Sequence, residues 1–412
     1  MIKIICSAQA YTYNAYHIVK AFYPSVEITN HVEEKASNYV EITFCDGRVI
    51  AVEKEEIKAG TDAEKKAQVD KKLYEKLSEK SGKTLAWGIL TGVRPTKLAM
   101  KKLEEGMEAE EFVSWFQKTY LVSEEKSRLA WEIAKREKQL LDQLDYEDGY
   151  SLYVGIPFCP TVCTYCSFSS GALEDWKDFV DDYVEALCKE LEFIGKVSKQ
   201  KKLNSIYIGG GTPTSLNARQ LERILSCIDT HFSREYLLEY TVEAGRPDSI
   251  TEEKLQVIKA HKVTRISINP QTMQQKTLDI IGRKHTVEDI CKTYEMARNL
   301  GFDNINMDLI AGLPGETSVD MKDTLEKVGR LQPDSLTVHS LAIKRAAKMG
   351  QEVKEGQSDA SMCNISPEIG AMIREAEKAA DDMGLKPYYL YRQKNIAGNF
   401  ENVGYAKVDK AG

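Results

Sequence analysis

Cys159-Pro-Thr-Val-Cys163-Thr-Tyr-Cys166, set directly behind the strand-like run Leu152–Gly155, is the stretch that decides the fold. Three thiols within eight residues can each hold one corner of a cubane iron–sulfur cluster. Such clusters usually take four cysteines, and this loop supplies three. The missing fourth leaves one iron with open coordination positions, and an open metal position is where chemistry happens. A zinc knuckle is the competing reading. Its nearest further ligands are Cys188 and His231, which lie in helical patterns and form no second metal-binding pair. Tyr165, inside the loop, and Phe168, just after it, are aromatic and suited to pack beside an adenine or to shield a cluster from water.

Outward from the loop, strand and helix patterns alternate. Strands are expected at Leu152–Gly155, Ser205–Ile208, Leu237–Val242, Arg265–Ile268, Ile305–Ile310 and Ser335–His339. Helices are expected between them at about 174–196, 218–231, 251–260, 273–282, 287–300 and 318–330, with Ser249 and Glu252 as a capping box. Alternation of this kind implies parallel strands joined by right-handed crossovers. Six units fall short of an eight-stranded barrel, so the fold class is α/β, a partial (β/α)6 barrel with its active face at the carboxyl ends of the strands.

Polar groups gather at that face. Gly209-Gly210-Gly211-Thr212-Pro213-Thr214 follows the second strand, where consecutive glycines let the backbone approach a ligand and present N–H groups to an anion. No lysine follows as in a phosphate loop, so a carboxylate or amino-acid moiety suits it better. Glu243 ends the third strand, Gln271 follows the fourth, and Asn306, Asp308 and Ile310 share a face of the fifth. Each alone reads more simply as a cap or surface group. Five successive strands delivering such groups to one rim read as a site.

The flanks differ. Residues 1–148 are expected to form an α+β domain, with a hairpin of Tyr39–Cys45 and Arg48–Val52 around Asp46-Gly47. A helix with Val69, Leu73 and Leu77 on one stripe, another opening at Pro95, and helical patterns at 109–120 and 124–144 follow. Residues 149–345 hold the barrel. Residues 346–412 form an α+β extension with a helix at 366–383, then Tyr388–Tyr391, ending past Asn402 without an obvious closing element, as a shortened chain would.

The chain has 412 residues, a formal net charge of −7 and 42% hydrophobic content. Those values fit a globular protein and disfavour nucleic acid as a partner, since phosphate binding needs clustered basic charge. The basic run between Lys65 and Lys83 is interrupted by Asp70, Glu75 and Glu79 and reads as a solvated helix face. No apolar run approaches the ~20 residues that span a bilayer. The first residues are too short in apolar length for a signal peptide, so a cytoplasmic location with reduced thiols is expected. Among nine cysteines, Cys6, Cys45, Cys188, Cys227, Cys291 and Cys363 are scattered and expected to be buried and inert.

With these residues in hand, the chain resembles a known family. The cysteine loop within Tyr153-Val-Gly-Ile-Pro-Phe-Cys159 resembles the radical S-adenosylmethionine (SAM) superfamily. Gly-Gly-Gly-Thr-Pro-Thr, Arg265-Ile-Ser-Ile-Asn-Pro-Gln271 and Asp308-Leu-Ile-Ala-Gly-Leu-Pro314 are similar to the oxygen-independent coproporphyrinogen III oxidase family. Trp87-Gly-Ile-Leu-Thr-Gly-Val-Arg-Pro-Thr-Lys97 and Tyr389-Leu-Tyr-Arg-Gln-Lys-Asn-Ile-Ala-Gly398 resemble its HemZ-type, coproporphyrinogen dehydrogenase-like branch.

The resemblance implies a [4Fe–4S] cluster on Cys159, Cys163 and Cys166, whose open iron chelates the amino and carboxylate groups of SAM. It implies SAM contacts from Tyr153, Gly210, Gly211, Thr212, Glu243, Gln271, Arg283 and Asp308, with the backbone near Phe168 and Ala342 bordering the adenine. The implied reaction is oxidative decarboxylation of coproporphyrinogen III to protoporphyrinogen IX through a radical derived from SAM, with a low-potential donor such as flavodoxin or ferredoxin. Phe168 stands where the well-studied oxidase has a further cysteine and where heme-trafficking relatives have phenylalanine. Those relatives carry a C-terminal His-Asn motif, whereas no histidine follows His339 here. A heme-binding carrier on the same scaffold, and an anaerobic heme-modifying enzyme, are therefore the alternatives.

Overall fold

The computed structural model describes all residues except 25, 93, 345, 356–365, 393–399 and 412. Cys363 and most of the 389–398 motif lie outside the described residues.

The first 53 residues build a four-stranded sheet from β1 (Ile2–Cys6), β2 (Ile28–Val32), β3 (Asn38–Phe44) and β4 (Val49–Glu53), in the order β2-β1-β3-β4. The expected hairpin is the antiparallel pair β3–β4, and Gly47 takes the positive φ of 81° that its turn requires. The helices Gln9–Phe22 and Asp62–Ser81 pack on this sheet, with Val69, Leu73 and Leu77 buried as their spacing demands. Thr61 caps the second helix in a reciprocal capping box with Glu64.

A second sheet has eight strands. β5 (Gly149–Ile156) is followed by a short parallel pair inside the cysteine loop, β6 (Phe158–Cys159) and β7 (Gly171–Ala172), which forms its own small sheet. The large sheet continues with β8 (Lys202–Gly210), β9 (Glu239–Gly245), β10 (Arg265–Ile268), β11 (Ile305–Ala311) and β12 (Ser335–Ser340). These five and β5 pair in parallel and in chain order. Beyond β12 the sheet turns antiparallel, with β14 (Asn402–Ala406) on β12 and β13 (Lys386–Tyr391) on β14. Among the described residues its edge strands β5 and β13 do not pair, so the barrel is open.

Residues alternate across each strand. Leu152, Val154, Ile206, Ile208, Val242, Met307 and Leu336 are buried against the helices. Their neighbours, Tyr153, Tyr207, Glu243, Asp308 and His339, line the other face. The helices between the strands start at side-chain caps: Asn217 with Gln220, Thr286 with Asp289, and Thr317 with Asp320.

Several expectations are corrected. The cap of Glu252–Ala260 is Thr251, whose hydroxyl accepts from Lys254 N at 3.3 Å. Ser249 lies in a preceding turn, where its hydroxyl is engaged by Arg246 O and Thr214 Oγ1, each at 2.7 Å. The third strand starts at Glu239 because Leu237 closes a turn onto Arg234 O at 3.2 Å. The helix expected at 174–196 is interrupted by a 3-10 turn at Lys177–Phe179, where Trp176 leaves helical geometry at φ −122°, ψ 4°. Asn402–Ala406, where no closing element was expected, is β14, an interior strand between β12 and β13. Cys45 is exposed rather than buried, and Cys188, Cys227 and Cys291 are partly so.

Two hydrophobic cores form. One joins residues from Ile2 to Leu77, and the other runs from Trp87 to Tyr405. The helices Thr96–Glu104, Ala109–Tyr120 and Glu124–Leu141 belong to the second core through Ala99, Phe112, Phe116, Ile133 and Ala134. Arg136, on the last of them, donates to Pro387 O of β13 at 2.7 Å. Among the described residues no helix is long and apolar enough to cross a membrane.

Candidate functional site

The cysteine loop leaves β5 and is tied down along its length. Thr161 Oγ1 donates to Gly282 O at 3.2 Å, Thr164 N to Ile281 O at 3.2 Å, and Met349 N to Thr164 O at 2.9 Å. Cys159 and Cys163 are buried and Cys166 is partly exposed. The Cys166 thiol is pushed up by burial and further by the charges of Cys163 and Cys159, so the three sulfurs share one electrostatic environment. Among the described residues no three His, Cys, Asp or Glu side chains lie together as ligands of a single metal ion.

The partners of the sulfurs come from the next two strands. Thr212 Oγ1 donates to Cys159 Sγ at 3.6 Å. Arg246, just past β9, points Nη1 at Cys163 Sγ at 3.8 Å while bonding Thr161 O at 2.7 Å. Asp248 holds the other face of that guanidinium through bonds of 2.9 and 2.6 Å. Arg283, buried, donates to Tyr165 OH at 3.5 Å and to Asn269 O.

The glycine turn is shaped by crowding. A Cβ on Gly211 would meet Phe158 O at 2.6 Å and Cys159 Sγ at 3.0 Å, and Gly210 holds φ 111°. Its N–H groups, expected to face an anion, are used within the protein. Gly210 donates to the Glu243 carboxylate, Gly211 to Ile156 O at 2.7 Å and Thr212 to Phe158 O at 2.7 Å. The turn therefore locks the first two strand ends and the cysteine loop together.

Across the inner face run the carboxylates. Glu243 accepts from Tyr207 OH, and desolvation with the nearby Asp308 charge pushes it up to about 7. Asp308 is held below the usual carboxylate range; its desolvation is outweighed by hydrogen bonding to His339, Asn306 and Thr337. Tyr153 stacks on Tyr207 at 5.9 Å between ring centroids.

Gln271 is the most unusual residue here. It is buried, holds a positive φ of 67° without being glycine, and its Oε1 has no hydrogen-bond partner among the described residues. Its backbone is fixed by Gln271 N to Asp308 O and Ile310 N to Gln271 O, each 2.9 Å. Ala342 is half-buried just past β12. Phe168, by contrast, is 77% exposed, so only Tyr165 of the two loop aromatics packs inward.

Sequence reasoning had not singled out Tyr207, Arg246 or His339. Tyr207 is legible as the residue beside Tyr153 on the inner face of a paired strand. Arg246 carries no comparable signal, because its role depends on a loop 85 residues away.

Comparison with known proteins agrees with this geometry. The radical SAM superfamily model matches residues 153–328. The oxygen-independent coproporphyrinogen-III oxidase-like protein HemZ of Bacillus subtilis is 44% identical over 334 residues, 80% of this chain and 66% of that protein. The heme chaperone HemW of the same organism is 38% identical over 197 residues, 47% of this chain and 51% of its own. The chain thus spans between half and two thirds of the length of these relatives. The solved structure of coproporphyrinogen III oxidase (HemN) from Escherichia coli shares the fold, with a TM-score of 0.54 and 23% identity, covering 66% of this chain and 58% of that one.

The residues fit the cofactors of that superfamily, a [4Fe–4S] cluster and SAM. Arg246 lies beside Cys163 and Arg283 acts on Cys166, and the buried Gln271 Oε1 has no hydrogen-bond partner among the described residues. The open parallel barrel, its cysteine loop and the match over residues 153–328 make this a radical SAM chain, similar over most of its length to a HemZ-type, coproporphyrinogen-III oxidase-like protein.

Proposed function

We propose that the chain is a radical SAM enzyme acting on a tetrapyrrole, and that its reaction is the oxygen-independent oxidative decarboxylation of coproporphyrinogen III to protoporphyrinogen IX. The observation that carries this reading is the 44% identity to a coproporphyrinogen-III oxidase-like protein over 80% of the chain. When bound, cluster and SAM supply a reductively generated carbon radical able to take hydrogen from a propionate side chain. The protein's own part is positioning. Cys159, Cys163 and Cys166 hold three corners, with Arg246 and Arg283 balancing thiolate charge. Glu243, Gln271 and Asp308 orient the amino-acid and ribose ends of SAM, with Tyr153, Gly210, Gly211 and Thr212 shaping the wall and Tyr165, Phe168 and Ala342 bordering the adenine. A flavodoxin or ferredoxin delivers the electron in the cytoplasm.

A second reading, a heme-binding carrier, is favoured by the 38% identity to a heme chaperone over 197 residues and by Phe168. One anaerobic experiment separates them. Reconstituted protein is given SAM and a reductant with either coproporphyrinogen III or heme. Faster 5′-deoxyadenosine release and a vinyl product with the porphyrinogen support the oxidase. Heme binding with a defined Soret shift and no porphyrinogen-dependent turnover overturns it in favour of the carrier.

A further inference from the structure

His339 ends the inner face of β12, one strand over from Asp308 on β11. Its Nε2 stands 3.8 Å from Asp308 Oδ2, and its Nδ1 lies 3.4 Å from the hydroxyl of Tyr391 on β13. The other Asp308 oxygen accepts from Asn306 Nδ2 at 2.7 Å, and Asn306 Oδ1 in turn accepts from Thr337 Oγ1 at 3.1 Å. Asp308 is thereby held from both sides, by Asn306 with Thr337 on one and on the other by the His339 ring, which reaches to β13. A carboxylate on a strand has a free terminal torsion. Two unlike partners, the Asn306 amide and the His339 ring, restrict that freedom.

We infer that His339 is a positioning residue that, braced by Tyr391, sets the orientation of Asp308 for the bound SAM, so that the C-terminal strand pair is a working part of the SAM pocket. The inference rests on the reading of Asp308 as a SAM contact. Nothing in the cysteine loop is involved, so cluster assembly should proceed without the histidine.

The test uses the full chain, reconstituted anaerobically, with SAM affinity read by equilibrium dialysis and cluster integrity by iron content. His339→Phe should weaken SAM binding ~10-fold at unchanged iron content, and His339→Gln, which keeps an amide donor, should recover most of it. Tyr391→Phe should show a smaller loss. Asp308→Asn should match His339→Phe, and the double variant should be no worse than Asp308→Asn alone, because residues acting as one unit are not additive. Full SAM affinity in His339→Phe, or losses that multiply in the double variant, overturns the inference while leaving the pocket in place. Full affinity in Asp308→Asn overturns the reading of Asp308 and the inference with it. Circular dichroism of His339→Gln and His339→Phe controls for folding.

Discussion

Trp87 donates its indole Nε1–H to Glu401 Oε2 at 2.7 Å, joining residues 314 positions apart inside the protein. Glu401 is fully enclosed and pairs with the equally buried Lys126 Nζ at 2.9 Å. The Arg392 guanidinium lies over the Trp87 ring at 5.5 Å and donates to Leu90 O at 2.9 Å. The two short motifs near either end of the chain, separate in sequence, therefore meet at one buried polar knot that fastens the helical segment to the strands closing the sheet.

That knot sets a stability prediction. Glu401→Gln takes away the buried partner of Lys126, whose Nζ keeps the more exposed Glu125 at 2.8 Å, and should cost about 1–3 kcal/mol. Trp87→Phe should cost about 1–3 kcal/mol by leaving a buried acceptor without its donor. Urea unfolding of the two singles and the double checks both values, and strongly non-additive losses are expected because the side chains share one network.

The cysteine loop makes a sharper demand. Alanine at Cys159, Cys163 or Cys166 should each abolish iron incorporation, whereas Cys188→Ala should leave it intact. Metal analysis of anaerobically purified protein reads this directly. Zinc in place of iron, or iron lost in Cys188→Ala, would contradict a three-thiolate cluster site.

Arg246 should matter to the cluster without ligating it. Arg246→Leu removes the cation 3.8 Å from Cys163 Sγ and the anchor on Thr161 and should yield well below wild-type iron content on reconstitution. Arg246→Lys, which keeps charge but not the two-point bond to Asp248, should fall between. Equal iron content in all three proteins would assign Arg246 to folding alone.

Glu243 should leave a signature in the pH dependence of stability. Its folded pKa is raised from 4.5 to about 7, so the folded state binds the proton more tightly than the unfolded state. The stabilisation linked to that proton is complete below about 4.5 and is lost as pH rises through about 7. Denaturation of the apo-protein from pH 4 to pH 8, compared with Glu243→Gln, should show a stability difference that declines across this window and is flat above it.

Much of the barrel was readable in one dimension. Arg265–Ile268 and the helix Ala218–His231 fall at the positions their patterns indicate, because an apolar stripe with period two or 3.6 must face a core. The antiparallel closure was not readable. β14 carries Gly404 and the polar Asn402 and lacks the apolar run of a central strand, yet it pairs on both sides because its backbone groups are satisfied by β12 and β13. The glycine turn was located correctly, but the destination of its N–H groups was not. Donors choose between ligand and protein according to which oxygen is nearer in space, and Ile156 O and Phe158 O are near.

From the sequence by itself came the chemistry: three thiols with a fixed short spacing, strand–helix alternation, and carboxylates and an amide at successive strand ends. Each of these is a property of local covalent order and periodicity, which a chain carries with it wherever it folds. Only the tertiary structure decided which charges face those thiols, how Asp308 is held between Asn306 and His339, and that Trp87 and Glu401 meet. Those are contacts between distant segments, and their energies depend on burial and orientation, which do not exist until the strands have paired.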